Sequence, residues 1–338
     1  MILRIASYIL LFVILSSCGG GGGSSIENTN DSITQPPNNP FVYIPPSSTS
    51  TDNCVAKSQP VANSWHEDFS SNELNINYWS YDEGCNDNGG GCNGNNEAQN
   101  YTSNDSDNLF IEDGHLKIQP IYDDINKFND PYCDDRSCNY TWDYTSARIM
   151  TSGKKVISPG SQITVCFKNP DGMGHWPAVW MLPQGFVEGQ KRWPQDGEND
   201  LMEHMRTLNA NETQSTIHFG TSGTAKNIYK IESIPANVDF YDKFHSVTLK
   251  WQTDKLEYFL DTQTEPYFTV IKDSQTEFNT EYWPFNEDFY LIINVASGGN
   301  AGGSPDNSMF CHDASCSNLA EPDRGRLLID YIEIKSID

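Results

Sequence analysis

Short runs of alternating apolar and polar residues recur along most of this chain. Examples are His115-Leu116-Lys117-Ile118-Gln119, Ser161-Gln162-Ile163-Thr164-Val165-Cys166-Phe167 and Ser246-Val247-Thr248-Leu249-Lys250-Trp251. Lys255-Leu256-Glu257-Tyr258-Phe259-Leu260 and Leu327 to Ile334 follow the same rule. A period of two puts successive side chains on opposite faces, so each run reads as a half-buried strand. Gly, Asn, Asp and Pro clusters separate the runs, and Thr253-Asp254 reads as a tight hairpin turn. No stretch keeps a helical period over several turns. Many short strands with turn signals predict an all-β sandwich. It is expected over residues 61–338, starting between Cys54 and Trp65.

The N-terminal region breaks the pattern. Arg4 precedes a mostly apolar run, Ile5 to Leu15, too short to span a bilayer comfortably. Residues 1–18 therefore read as a signal segment. Its end, Leu15-Ser16-Ser17-Cys18-Gly19, resembles the bacterial lipobox, in which the Cys is lipidated; an ordinary signal peptide or an uncleaved anchor is the alternative. Residues 19–60 begin with five glycines and continue rich in Ser, Thr, Asn and Pro. That composition predicts a disordered tether.

Composition narrows the partners. Of 338 residues, 37% are apolar and 12% aromatic, enough for one sizeable core. The net charge of −25 argues against nucleic acid or an anionic membrane surface as a ligand. It favours a neutral ligand or a salty medium. Nine cysteines are present. Setting Cys18 aside leaves an even number in an exported chain. Cys85 with Cys92, Cys133 with Cys138 and Cys311 with Cys316 are close in sequence, so Cys54 and Cys166 pair by elimination. Metal binding is the alternative use, but no C-x-x-C spacing is present.

The chemistry concentrates in Trp193 to Arg206, W-P-Q-D-G-E-N-D-L-M-E-H-M-R. On a strand, Glu198 and Asp200 share a face. Glu203 would take the other face unless a β-bulge near Leu201-Met202 returns it. Three carboxyls then line one face. A nucleophile and a proton-donating acid side by side are what glycoside hydrolysis with retention needs. Asp200 could hold the orientation and charge state of Glu198. On pattern alone a solvated acidic edge explains the same residues. Upstream, Trp176-Pro177-Ala178-Val179-Trp180-Met181-Leu182-Pro183 puts Trp176 and Trp180 on one face, either as sugar platforms or as core.

Gly197-Glu198-Asn199-Asp200-Leu201-Met202-Glu203-His204 resembles the G-E-[apolar]-D-[apolar]-M-E-H signature of glycoside hydrolase family 16, laminarinase-like branch. The resemblance implies a jelly-roll sandwich, concanavalin-like, with a concave cleft. It makes Glu198 the nucleophile, Glu203 the acid/base and Asp200 the helper. Asn199 departs from the family's apolar residue; it should face the core and need a buried partner. Other runs carry the likeness further. Asn96 and Glu97, in an N-N-E-x-Q run, would bond sugar hydroxyls. Arg148, in Y-T-S-A-R-I, would brace the nucleophile or form a structural ion pair. Trp176, Trp180, Trp193 and His218 are substrate-binding candidates, and His204 reads as a core histidine. Asp330 of Asp330-Tyr331-Ile332, with a carbonyl near Gly114, would hold a structural calcium or else cap a strand.

The expected activity is that of a retaining endo-β-glucanase on β-1,3 or mixed-linkage glucan, needing no cofactor. It is expected to act as a monomer, tethered to a membrane only through its lipid, at an outer membrane or cell surface. A glucan-binding surface protein without catalysis is the alternative from another class. The same chemistry on a galactan such as agar or carrageenan is a third reading.

Overall fold

The alternating runs become strands because they can bury one face each. In the computed structural model the residues described are 43–44, 54, 64–85, 93–123, 128–129, 141–208, 211–220, 227–234, 238–272 and 283–337. They belong to one compact unit, Phe41–Asp338. The signal segment with Cys18, most of the tether, and Cys92, Cys133 and Cys138 lie outside the described residues, so the Cys85–Cys92 and Cys133–Cys138 pairs do too.

The fold is all-β, a jelly-roll sandwich of two mainly antiparallel sheets. One sheet runs in the order Phe268–Ile271, Lys255–Leu260, His245–Trp251, Ser161–Lys168, Leu327–Ser336, His115–Ile118, Leu109–Glu112. The expected hairpin about Thr253-Asp254 joins His245–Trp251 to Lys255–Leu260, with Trp251 opposite Leu256. The other sheet runs Asn227–Ser233, Asn211–Gly220, Glu198–Arg206, His175–Pro183, Phe289–Ser297, Tyr144–Met150, Ser80–Tyr81.

Alternation decides what lies between the sheets. Ile163, Val165 and Phe167 from one sheet and Val179, Met181, Leu291, Ile293 and Val295 from the other all enter one buried cluster. Burying such side chains is worth about 1.5–3 kcal/mol each, before the entropy of ordering the chain. The Trp251 indole N–H is satisfied inside this core by the Phe285 carbonyl at 2.8 Å.

The sheet without the acidic stretch also receives the N-terminal region. A disulfide joins Cys54 to Cys166 on the Ser161–Lys168 strand, across a sequence separation of 112. Earlier still, the Tyr43 hydroxyl donates to Asp261 Oδ2 at 2.7 Å, and Gln263 Nε2 donates to the Ile44 carbonyl at 2.7 Å. The stretch expected as tether is therefore fastened to the sandwich at Tyr43–Ile44 and again at Cys54. A second disulfide, Cys311–Cys316, closes a loop near the 3-10 turn Pro322–Gly325. Cys85 is also disulfide-bonded.

Candidate active site

Gly197 starts the site. Its φ of 96° is one that side chains rarely adopt, and a Cβ there would lie 2.9 Å from Pro284 Cγ. The turn delivers the chain into the strand Glu198–Arg206, which pairs with His175–Pro183 on one side and Asn211–Gly220 on the other.

The register places the acids. Glu198 lies opposite His218, Asp200 opposite Thr216 and Glu203 opposite Gln214. Between the last two pairs the register shifts, so Leu201 and Met202 together face the single residue Ser215. That is a β-bulge. Both bulge residues point into the core and are fully buried. Consequently Glu198, Asp200 and Glu203 share the outer face, as the sequence spacing required. Trp180 and Ala178 flank Asp200 and Glu203 on the neighbouring strand.

Hydrogen-bond donors hold the two outermost acids. Trp176 Nε1 donates to Glu203 Oε1 at 3.1 Å. Gln214 Nε2 and Thr216 Oγ1 donate to Glu203 Oε2 at 3.4 and 3.3 Å. At the other end, the half-exposed Trp193 hydrogen-bonds Glu198. His218 Nε2 sits 3.7 Å from Glu198 Oε1 and 3.6 Å from Asp200 Oδ2. The Trp193 and His218 rings are 6.0 Å apart. Ligand atoms of Glu198, Asp200 and His218 lie within 4.8 Å of one another, a spacing that could also hold a metal ion.

These carboxyls cannot all ionise at once. Burial first, then the Glu203 charge, pushes the Glu198 carboxyl up to about 8, and the Trp193 hydrogen bond offsets part of this. Burial and then the charges of Glu198 and Glu203 raise Asp200 well above the ordinary carboxylate range. The cluster therefore keeps protons at neutral pH and titrates as a group. Carboxyls that share protons on one face are what a nucleophile and an acid acting together require.

The floor beside the acids is apolar. Trp180, Leu182, Tyr290, Ile292, Met150 and Phe186 pack together there. Trp180 belongs to this outer cluster, not to the core between the sheets, and its Nε1 donates to Asn294 Oδ1 at 2.7 Å. Asn294 in turn donates to the Tyr101 hydroxyl at 3.0 Å.

The remaining candidates fall into two groups. Asn96 is exposed and donates to Asn300 Oδ1 at 3.0 Å, so its side chain stands at the surface. Glu97, by contrast, is buried and accepts from Gln99 Nε2 at 2.6 Å, Asn93 Nδ2 at 2.9 Å and Asn95 Nδ2 at 3.3 Å. It braces the loop. Arg148 pairs with Asp82 at 2.6 Å and lies 4.7 Å from the centre of the Tyr101 ring. Of its two readings, the structural ion pair is the one these contacts support. His204 is buried and accepts or donates at Nδ1 with Thr213 Oγ1 at 2.8 Å, and burial lowers it to about 3. Asn199 is buried beside the Tyr258 hydroxyl. Neither its amide oxygen nor its amide nitrogen makes a hydrogen bond of ordinary geometry.

Asp330, the residue expected to hold calcium, is buried. Asp330 Oδ2 accepts the Cys54 amide at 3.3 Å, and Oδ1 lies 3.7 Å from His115 Nε2. Calcium takes six to eight oxygens. A structural calcium held by Asp330 and a carbonyl near Gly114 stays a proposal.

Gln214, Thr216 and Asn294 escaped the sequence reading. The signal was present for two of them: Gln214, Thr216 and His218 are polar at every second position of a strand.

The family model for glycosyl hydrolases family 16 matches residues 96–310. The glucan endo-1,3-beta-glucosidase A1 of Niallia circulans is 31% identical over 263 residues, which are 75% of this chain and 36% of that enzyme. The beta-glucanase of Rhodothermus marinus is 31% identical, over 71% of this chain and 76% of its own. Among solved structures, the endo-1,3-beta-glucanase (laminarinase) catalytic domain of Thermotoga petrophila superposes with a TM-score of 0.64 at 32% identity, covering 83% of this chain and 98% of that one.

Proposed function

This chain belongs to the glycosyl hydrolases of family 16, and on that premise we propose that it is a retaining endo-β-1,3-glucanase acting on laminarin-like glucan. The observation that carries the reading is the bulge, which sets Glu198, Asp200 and Glu203 on one face. Glu198 attacks the anomeric carbon while Glu203 gives its proton to the departing glycosidic oxygen. The bond from sugar to oxygen breaks as the bond to Glu198 forms. Glu203 then takes a proton from water, which displaces Glu198 and releases the sugar with its original anomeric configuration. Asp200, the least exposed of the three, keeps a proton next to Glu198. The cluster shares its protons, and the reacting form is the one with Glu198 ionised and Glu203 protonated. Trp176, Gln214 and Thr216 orient Glu203, and Trp193 orients Glu198. Trp180 and its apolar neighbours offer a platform for a sugar ring.

The leader and the Cys18 motif support export and lipid anchoring, at an outer membrane or cell surface, with the protein acting as a monomer. Labelling with a palmitate analogue, lost in Cys18→Ala, tests the anchor.

The activity test is product analysis on laminarin, lichenan, agarose and carrageenan, side by side, with wild type, Glu198→Gln and Glu203→Gln. Oligosaccharides from laminarin with wild type alone support the reading, and lichenan products extend it to mixed linkages. Cleavage of a galactan only would keep the acids and replace the substrate. Binding without products from any polymer would make this a recognition protein.

A further inference from the structure

The bulge that brings Glu203 outward leaves a problem on the inner side of the strand. Two consecutive residues, Leu201 and Met202, oppose the single residue Ser215, so the regular ladder is interrupted there. The Leu201 carbonyl lies in the dry core, where an unpaired acceptor costs about 1–3 kcal/mol. Ser215, itself fully buried, donates its hydroxyl to that carbonyl at 2.5 Å. The same hydroxyl lies 2.6 Å from the hydroxyl of Tyr267. Tyr267 belongs to the opposite sheet: it precedes Phe268–Ile271, and its amide bonds the Tyr258 carbonyl at 2.9 Å. A chain of hydroxyls thus runs from one sheet, across the core, to the carbonyl two residues before Glu203.

We propose that Ser215 and Tyr267 are positioning residues for the reaction: they lock the bulge, and through it the placement of Glu203 relative to Glu198. This rests on the glucanase reading of the same site. The surroundings argue that the serine is there for its hydroxyl. Leu201 and Met202 on the adjacent strand, and Ile217 and Phe219 further along its own strand, are all fully buried and apolar. An alanine or valine would suit that setting on burial alone. Neither hydroxyl faces the outer side, so neither touches substrate. Their influence reaches the chemistry only through backbone geometry. An acid displaced by a fraction of an ångström delivers its proton poorly, while a sugar bound along the strand surface is held as before.

The test uses a substrate pair that separates proton delivery from everything else. Laminarin has a sugar leaving group, which needs the Glu203 proton. A dinitrophenyl β-laminaribioside has a leaving group stable as an anion, which does not. Ser215→Ala is expected to lower kcat on laminarin about tenfold with KM within twofold, and to lower the first turnover of the aryl glycoside far less. Tyr267→Phe should do the same more weakly, and it keeps the test valid should Ser215→Ala fold poorly. A merely structural role would cut both substrates equally, in step with the loss of thermal midpoint. That result, or unchanged kcat in both variants, overturns this assignment alone. Wild type inert on both substrates overturns the glucanase reading and this assignment with it.

Discussion

Burial of Glu198 beside Glu203 raises its carboxyl to about 8, against 4.5 for the ordinary group. A carboxyl raised on folding contributes no pH dependence below about 4.5, where it is protonated in both states. Between there and about 8 the folded state holds a proton that the unfolded chain has lost, so stability falls as pH rises. Glu198→Gln removes that dependence. Its midpoint should match wild type near pH 4.5 and exceed it near pH 8 by an amount worth a few kcal/mol at most, roughly. Thermal melts of both proteins across this range check the sign; a wild type that gains stability from pH 5 to 8 would contradict it. Asn199 is the second residue to test. Its amide is buried and makes no hydrogen bond of ordinary geometry. Asn199→Leu should therefore stabilise the fold by about 1 kcal/mol, read as a higher midpoint. The acids themselves were legible in the sequence, because G-E-N-D-L-M-E-H carries both the spacing and the chemistry. Glu97 was harder. Nothing local says that Asn93, Asn95 and Gln99 fold back onto it and occupy both of its oxygens.

Alternation located the strands well. His115–Ile118, Ser161–Lys168, His245–Trp251, Lys255–Leu260 and Leu327–Ser336 each sit within two residues of the run that announced them. The bulge was legible too, since two apolar residues in succession between acids fit no plain alternation. Pairing between distant strands was not. Register depends on twist and turn geometry summed over the sheet, so the contact of Ser215 with Leu201 and of Gln214 with Glu203 had no local sign. A direct element-scale test follows. Deleting Met202 removes the bulge and restores plain alternation, which keeps Glu203 on the outer face with Glu198 and Asp200. Hydrolysis of laminarin should persist at a reduced rate, because all three acids still share a face while the fine placement set by the bulge is lost. A folded deletion variant without turnover would mean that a shared face is not enough and that the bulge itself supplies the working geometry.

At the scale of the molecule, the long disulfide is the feature with the largest expected effect. Cys54–Cys166 spans 112 positions, and closing a loop near that length is worth about 4–5 kcal/mol by chain entropy. Cys54→Ser should lower the thermal midpoint markedly and leave kcat on laminarin unchanged at moderate temperature, because neither cysteine lies on the acidic strand or its neighbours. A fall in kcat with the midpoint intact would place the bridge in the catalytic machinery instead. The pairing was readable by counting cysteines. The earlier attachment at Tyr43 was not, since a Pro- and Ser-rich composition predicts no partner, and Asp261 and Gln263 lie more than two hundred positions away.

Those two fastenings also decide which side of the sandwich the N-terminal residues occupy. Tyr43 and Cys54 are both bound to the sheet that lacks the acids. The acidic face, on the other sheet, is therefore not the one that these described N-terminal residues cover. A long polysaccharide strand laid across the acids would not meet Tyr43, Ile44 or Cys54, and its cut ends would leave without passing them.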